Sequence, residues 1–309
     1  MKCRNLLSLV ICIIGGVNLF ADLPKVSSGK IERLAAFPSE HVAARNVDVW
    51  LPDGYSADER YPVVYMHDGA MLFDAAGTWQ NKEWNVDGVV GGLIADKKIR
   101  SCIVVGVWNT GSGRHAEYCP EKPFRALSKD EQDMIKRTGN HGGAHGLIDT
   151  NVRSDAYLKF LVTELKPFID KQYSTLPGVE DTFIMGSSMG GLISIYAICE
   201  YPEVFGAAAC MSTHWPMLFR NENNPYPAAM FEYLDKHLPD PASHRIYFDH
   251  GTTTLDALYG IHQVKVDKIM REKGYGADNW ITRVFKGTAH TEDDWRKRLD
   301  IPFKFLLGR

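Results

Sequence analysis

Short apolar runs and longer periodic segments alternate along most of this chain. Asn46-Val47-Asp48-Val49, continuing to Leu51, alternates polar and apolar residues and predicts a half-buried strand. Pro62 to Met66, Ser101 to Val107, Asp181 to Gly186, Gly206 to Met211, Arg245 to Phe248 and Trp280 to Phe285 are compact apolar runs. Such near-continuous runs fit strands covered by helices on both faces. Between them lie segments of helical period. From Ser154 on, Leu158, Leu161, Val162, Leu165, Phe168 and Ile169 recur on one face. Met189 to Cys199, Tyr226 to His237, a segment around Ile261, Val264, Ile269 and Met270, and Glu292 to Leu307 predict four more helices. Strand–helix alternation of this kind implies an α/β fold with a mostly parallel central sheet and crossover helices on both faces. The even spread of apolar segments predicts one domain over residues 22–309, without repeats or a low-complexity linker.

Two segments break the rhythm. Lys2 and Arg4 precede an apolar run from Leu6 to Phe20 that ends near Ala21. A basic start, a short apolar core and a small residue read as a secretory signal peptide over residues 1–21. The expected location is therefore periplasmic or extracellular, with no stable membrane insertion once the leader is removed. Asn109 to Asn151 is rich in Gly and polar residues. So long an excursion in a compact domain is expected to lie over a site as a lid or substrate wall.

Charged residues make up 24% of the chain and the net charge is −3, with no basic block, which leaves nucleic-acid binding without electrostatic support. Outside the leader, Cys102, Cys199 and Cys210 sit in apolar surroundings and read as core residues, and Cys119 completes the set. No CxxC pair exists to suggest a metal or redox centre.

The residues that suggest chemistry begin with Gly186-Ser187-Ser188-Met189-Gly190, a G-x-S-x-G pattern. Alone it is weak, but here a predicted strand precedes it and a predicted helix follows. That is the strand–turn–helix setting of the nucleophile elbow of the α/β-hydrolase fold, with Ser188 as nucleophile. A serine hydroxyl needs a base, and in this fold the acid and then the histidine follow the serine along the chain. His290 is the best base, since Gly287-Thr288-Ala289-His290 lies between the last strand and the last helix, at the carboxyl edge of the sheet. His244 precedes its strand and so falls at the wrong end, while His214 and His250 remain pocket candidates. Asp256 is the preferred acid because a residue on the loop beyond the strand can reach a neighbouring loop, and Asp249 at the strand end is its rival. The oxyanion hole would be formed by the amides of Met189 and Ala70, with Gly69 letting the second backbone approach the substrate and His67 and Asp68 bracing the turn. His141 and His145 are four apart but too Gly-rich around them for a helix, so neither a metal nor a cofactor is expected. His214 and Trp215 would wall a pocket or pack.

Several segments, in order, resemble the esterase D and enterochelin-esterase group, which includes feruloyl and acetyl-xylan esterases and the mycolyltransferases. These are Pro62 to Gly69, Trp84 to Asp87 with its following helix, Ile103 to Val107, and the R-x-x-E-Y-x-P segment of Arg114, Glu117, Tyr118 and Pro120. Gly186 to Gly191, Asp249 to Asp256 with Tyr259, and the H-x-E-x-x-W ending of His290, Glu292 and Trp295 complete the resemblance, which runs from about Val47 to Leu307. It implies an α/β-hydrolase acting on a small-molecule, carbohydrate-linked or siderophore-type ester, with Ser188, His290 and Asp256 as triad and Ala70 and Met189 as oxyanion donors. The chain departs from the group at Ala70 and Met71, where Gln and Asn are common, and at Thr254, where an acidic residue is common. Two other readings use the same residues: an acyltransferase with the same triad, and a carbohydrate-binding protein on the hydrolase fold that has no activity.

Overall fold

A computed structural model of the chain describes residues 22–76, 78–138, 148 and 151–308. Eight strands form one sheet in the order β1-β2-β4-β3-β5-β6-β7-β8. They are β1 (Lys30–Phe37), β2 (Arg45–Leu51), β3 (Val63–His67), β4 (Ile103–Val107), β5 (Thr182–Ser187), β6 (Ala207–Met211), β7 (Arg245–His250) and β8 (Trp280–Val284). From β4 to β8 all pairings are parallel, whereas β1 and β2 run antiparallel at one edge.

Successive strand residues point to opposite faces, and both faces are buried. Val63 and Tyr65 of β3 join one core with Val105, Ile184 and Phe248. Val64 and Met66 join the other with Val104, Met185 and Tyr247. The first core is closed by α7 (Met189–Glu200), α8 (Tyr226–His237), α9 (Gly260–Glu272) and the long helix from Ser154 to Gln172. The second is closed by α1 (Val86–Ala95) and α11 (Asp300–Leu307), through Val90, Leu93, Phe303 and Leu306. This is the mostly parallel α/β sheet with helices on both faces that the alternation predicts.

Three features differ from the expectation. β1 has no counterpart among the predicted strands: it is a half-exposed edge strand carrying Lys30, Glu32 and Arg33, so it lacks the apolar run that marks the others. The helix from Ser154 is α5 (Ser154–Phe160) and α6 (Lys166–Gln172) joined by a π turn over Leu161–Leu165. Pro167 would clash with the carbonyl four residues back in a regular helix, and the wider turn relieves it. The predicted last helix splits into α10 (Glu292–Arg296) and α11. Pro302 falls in the first turn of α11, where no N–H is needed.

The excursion after β4 is less loop-like than predicted. Its described part folds into α2 (Arg114–Tyr118), α3 (Glu121–Arg125) and α4 (Lys129–Arg137). A reciprocal capping box between Ser128 and Glu131 starts α4. His141, His145 and the leader lie outside the described residues. Cys102, Cys119, Cys199 and Cys210 are buried and free. No helix among the described residues is long and apolar enough to cross a membrane.

Candidate active site

The turns that follow β3, β5, β6, β7 and β8 meet at the carboxyl edge of the sheet. Ser188 directly follows β5 and precedes α7, with φ 57° and ψ −122°. Its N–H donates to Met211 O of the next strand at 2.9 Å. A Cβ on Gly186 would stand 2.7 Å from the Gly190 carbonyl carbon, so a side chain there would force the elbow open. Met189 is the first residue of α7, and its N–H has no partner within the helix.

After β3, Asp68 adopts the left-handed conformation and opens a single 3-10 turn, Gly69–Met71, that carries Ala70. The Asp68 carboxylate accepts Arg114 Nε at 2.7 Å, Arg114 Nη2 at 2.6 Å and Asn109 Nδ2 at 2.7 Å. Its N–H donates to the Tyr118 hydroxyl at 3.3 Å. Burial alone would raise the Asp68 pKa, but Arg114 and Asn109 outweigh it and hold the carboxyl below its ordinary value. Arg114 is placed through Glu117 of the same helix, which makes a buried bidentate pair with Arg45 of β2 at 2.9 Å on each arm. A Cβ on Gly69 would come within 2.4 Å of the Gly106 backbone, so glycine is needed where the turn crosses β4. His67 braces the turn from below, with Nδ1 2.8 Å from the Tyr157 hydroxyl, and burial pushes its pKa down to about 3.

The loops after β7 and β8 bring Asp256 and His290 together. His290 Nδ1 lies 2.6 Å from Asp256 Oδ1, and the His290 N–H donates to Thr254 Oγ1 at 2.8 Å. Asp256 Oδ2 accepts Ser212 Oγ at 2.7 Å and the Gly251 N–H at 2.6 Å. Burial opposes the Asp256 charge, yet these donors and His290 hold its pKa below the ordinary value. Asp256, not Asp249, partners the imidazole; Asp249 is taken up by other donors. It accepts Arg298 Nη2 at 3.0 Å, the Ser212 N–H at 3.2 Å and the Tyr247 hydroxyl at 2.9 Å, and burial raises its pKa despite Arg298.

Ser188 and His290 line one cleft of about 440 Å³. Met71, Trp84 and Trp295 supply its apolar wall, and Gln80, Asn109, Arg114 and Glu292 its polar one. The Tyr259 hydroxyl lies against the Ser188 side chain and 2.7 Å from His214 Nδ1. His214 is fully buried, its pKa well below the ordinary value because of that burial. His250 bonds the Gly251 carbonyl, and His244 sits at the start of β7, bonded to the Pro202 carbonyl. Asn109, Ser212 and Arg298 belong to no catalytic motif that marks them in the sequence, and Arg114 and Tyr259 are marked there only by the family resemblance.

A serine on a strained elbow, an imidazole on a buried carboxylate, and a cleft between apolar and polar walls define a hydrolase of the α/β class, acting on carboxylic esters. Residues 42–301 match the family described as "Putative esterase", and the chain belongs to this esterase family. It is 25% identical over 280 residues to the Bacillus subtilis (strain 168) "Uncharacterized protein YbbA", covering 88% of this chain and 96% of that one. It is 24% identical over 294 residues to an "Endo-1,4-beta-xylanase/feruloyl esterase" of Xylanibacter ruminicola, covering 92% of this chain but 32% of that longer protein. Its fold is similar to a ferulic acid esterase from Anaeromyces mucronatus, with TM-score 0.60 and 17% identity over 97% of this chain and 98% of the other.

Proposed function

We propose that this protein hydrolyses carboxylic esters through an acyl-enzyme on Ser188. His290 takes the serine proton as Oγ attacks the carbonyl carbon, and then passes it to the departing alcohol. Asp256 fixes the imidazole with its far nitrogen toward the serine and stabilises the imidazolium. The Met189 and Ala70 amides receive the oxyanion, and each such donor is worth roughly 3 kcal/mol of barrier. Water, activated by His290, then attacks the acyl carbon, and Ser188 Oγ leaves with its proton restored. The observation that carries this reading is that Ser188 and the imidazole of the 2.6 Å His290–Asp256 pair line the same cleft.

The favoured substrate is a carbohydrate-linked ester with an aromatic acyl group. The indoles of Trp84 and Trp295 suit a flat acyl part, and the side chains of Gln80, Asn109 and Glu292 suit hydroxyls. The feruloyl esterase names of two similar proteins support the same class. We further propose export through the leader at residues 1–21, to be checked by the N-terminal sequence of the protein in the extracellular and periplasmic fractions.

A fluorophosphonate probe should label Ser188 in the folded protein, and Ser188→Ala should abolish both labelling and p-nitrophenyl acetate turnover. Absence of an adduct on Ser188 would overturn the mechanism. A panel of feruloylated and acetylated oligosaccharides and siderophore-type esters, with and without alcohol acceptors, ranks the substrates. Transfer product exceeding hydrolysis would instead assign an acyltransferase.

A further inference from the structure

The loop after β6 contributes a serine that the catalytic reading does not use. Ser212 is fully buried and has φ 39°, a strained backbone for a serine. Its hydroxyl has one proton and two lone pairs. Trp295 Nε1 lies 3.0 Å from Ser212 Oγ, and Arg298 Nη2 lies 2.9 Å from it. Both are donors that can accept nothing, so both lone pairs are used. The remaining neighbour is Asp256 Oδ2 at 2.7 Å, and the serine proton must point there.

The consequence falls on Asp256. Its Oδ2 is held by Ser212 and the Gly251 amide, which leaves Oδ1 for His290. Arg298, fixed in turn by Asp249 at 3.0 Å, stands 4.0 Å from Asp256 Oδ2. We propose that Ser212, polarised by Arg298 and Trp295, is the positioning residue that aims the Asp256 carboxylate at His290 and tempers its charge. Asp249 then has a separate task, as counter-ion for the buried Arg298. This inference rests on the triad reading above.

The test compares wild type with Ser212→Ala and Arg298→Lys, each normalised to the Ser188 sites that fluorophosphonate titrates. Losing a hydrogen bond to a charged group should lower kcat about 10- to 100-fold, with KM changed less than twofold. A second readout separates positioning from general loosening. With one donor fewer, the Asp256 carboxylate is more basic and holds an imidazolium more tightly, so the acid limb of the kcat/KM profile moves to higher pH. Simple loosening of the His290–Asp256 contact moves that limb to lower pH. The other titratable groups around His290 are unchanged in the comparison: Tyr259 against its ring, Glu292 and Arg114 in the cleft, and His214 beyond Tyr259; Trp295, which packs on the ring, loses its Ser212 acceptor but carries no charge. If Ser212→Ala does not fold, Arg298→Lys decides, since it keeps the charge but loses the planar guanidinium whose Nη2 donates to both Ser212 and Asp249. Wild-type kcat, or an acid limb that stays put or falls, overturns the inference. Failure to label Ser188 in the wild type overturns the triad reading instead, so the two failures are distinct.

Discussion

Replacing Asp256 by Asn exchanges one carboxylate oxygen for an NH2 group, and the surroundings dictate which one. Oδ2 accepts two donors, the Ser212 hydroxyl and the Gly251 N–H. The amide oxygen of Asn must therefore take the Oδ2 position, because an NH2 there would face two protons. The NH2 group then lands where Oδ1 was, 2.6 Å from His290 Nδ1, and donates to it. The imidazole is driven to carry its proton on Nε2, the nitrogen that should accept from Ser188. The wrong tautomer in a Ser-His-Asp site costs about ten-thousandfold in kcat, equal to about 5 kcal/mol of barrier. The assay is kcat for p-nitrophenyl acetate, normalised by active-site titration, in Asp256→Asn, Asp249→Asn and wild type. Asp249→Asn should lose far less turnover and show its effect in stability, since Arg298 is left with a weaker counter-ion. An Asp256→Asn enzyme within tenfold of wild type, or one more active than Asp249→Asn, refutes this reasoning.

Two further outcomes follow from charges beneath the cleft. Arg114→Leu removes both guanidinium donors from Asp68 and should cost about 2–3 kcal/mol in urea unfolding. It should also slow acylation by loosening the turn that carries Ala70, whereas an unchanged midpoint and kcat would show that the pair is idle. Stability should also fall below pH 6.5. A histidine in the unfolded chain binds a proton near that value, whereas buried His67 and His262 are pushed down to about 3 and about 4. The unfolded state therefore gains protons first, and stability declines by about 1.4 kcal/mol per pH unit for each of them. Asp68 and Asp256 have depressed values and lose their contribution only below about 3.8, so the window from pH 6.5 to 5 reports the histidines. A flat urea midpoint across that window contradicts the assignment.

What the sequence could reveal depended on how local each signal was. The runs at Val63, Ile103 and Thr182 betray their strands because both faces are buried. The charged edge strand from Lys30 does not, because its pairing with β2 is decided by tertiary contact. Glycine spacing and position relative to predicted elements mark Ser188 and His290 as candidates, and both line one cleft. Asp256 against Asp249 was harder, since both lie near one strand end, and the distinction rests on Arg298, 42 residues beyond Asp256. The helices after Arg114 were hidden by the Gly-rich stretch that follows, although the Ser128–Glu131 box was a readable start signal.

The strain at the sheet edge has a common origin. Asp68, Ser188 and Ser212 each come directly after a strand, in the adjacent strands β3, β5 and β6, and each has positive φ. None is a glycine, and such residues cost on the order of 1–3 kcal/mol apiece. For the two serines, the hydrogen-bond ladder continues one residue past the strand: Ser188 N–H to Met211 O at 2.9 Å and Ser212 N–H to Asp249 O at 2.8 Å. The sheet thus fixes the height of both serines before the chain turns away, and the turn swings their side chains toward the cleft and toward Asp256. Glycine at either position would relieve the backbone but remove the hydroxyl that the turn exists to aim. On the proposed mechanism the strain is therefore tied to the chemistry, because the end of the parallel ladder sets where both hydroxyls sit.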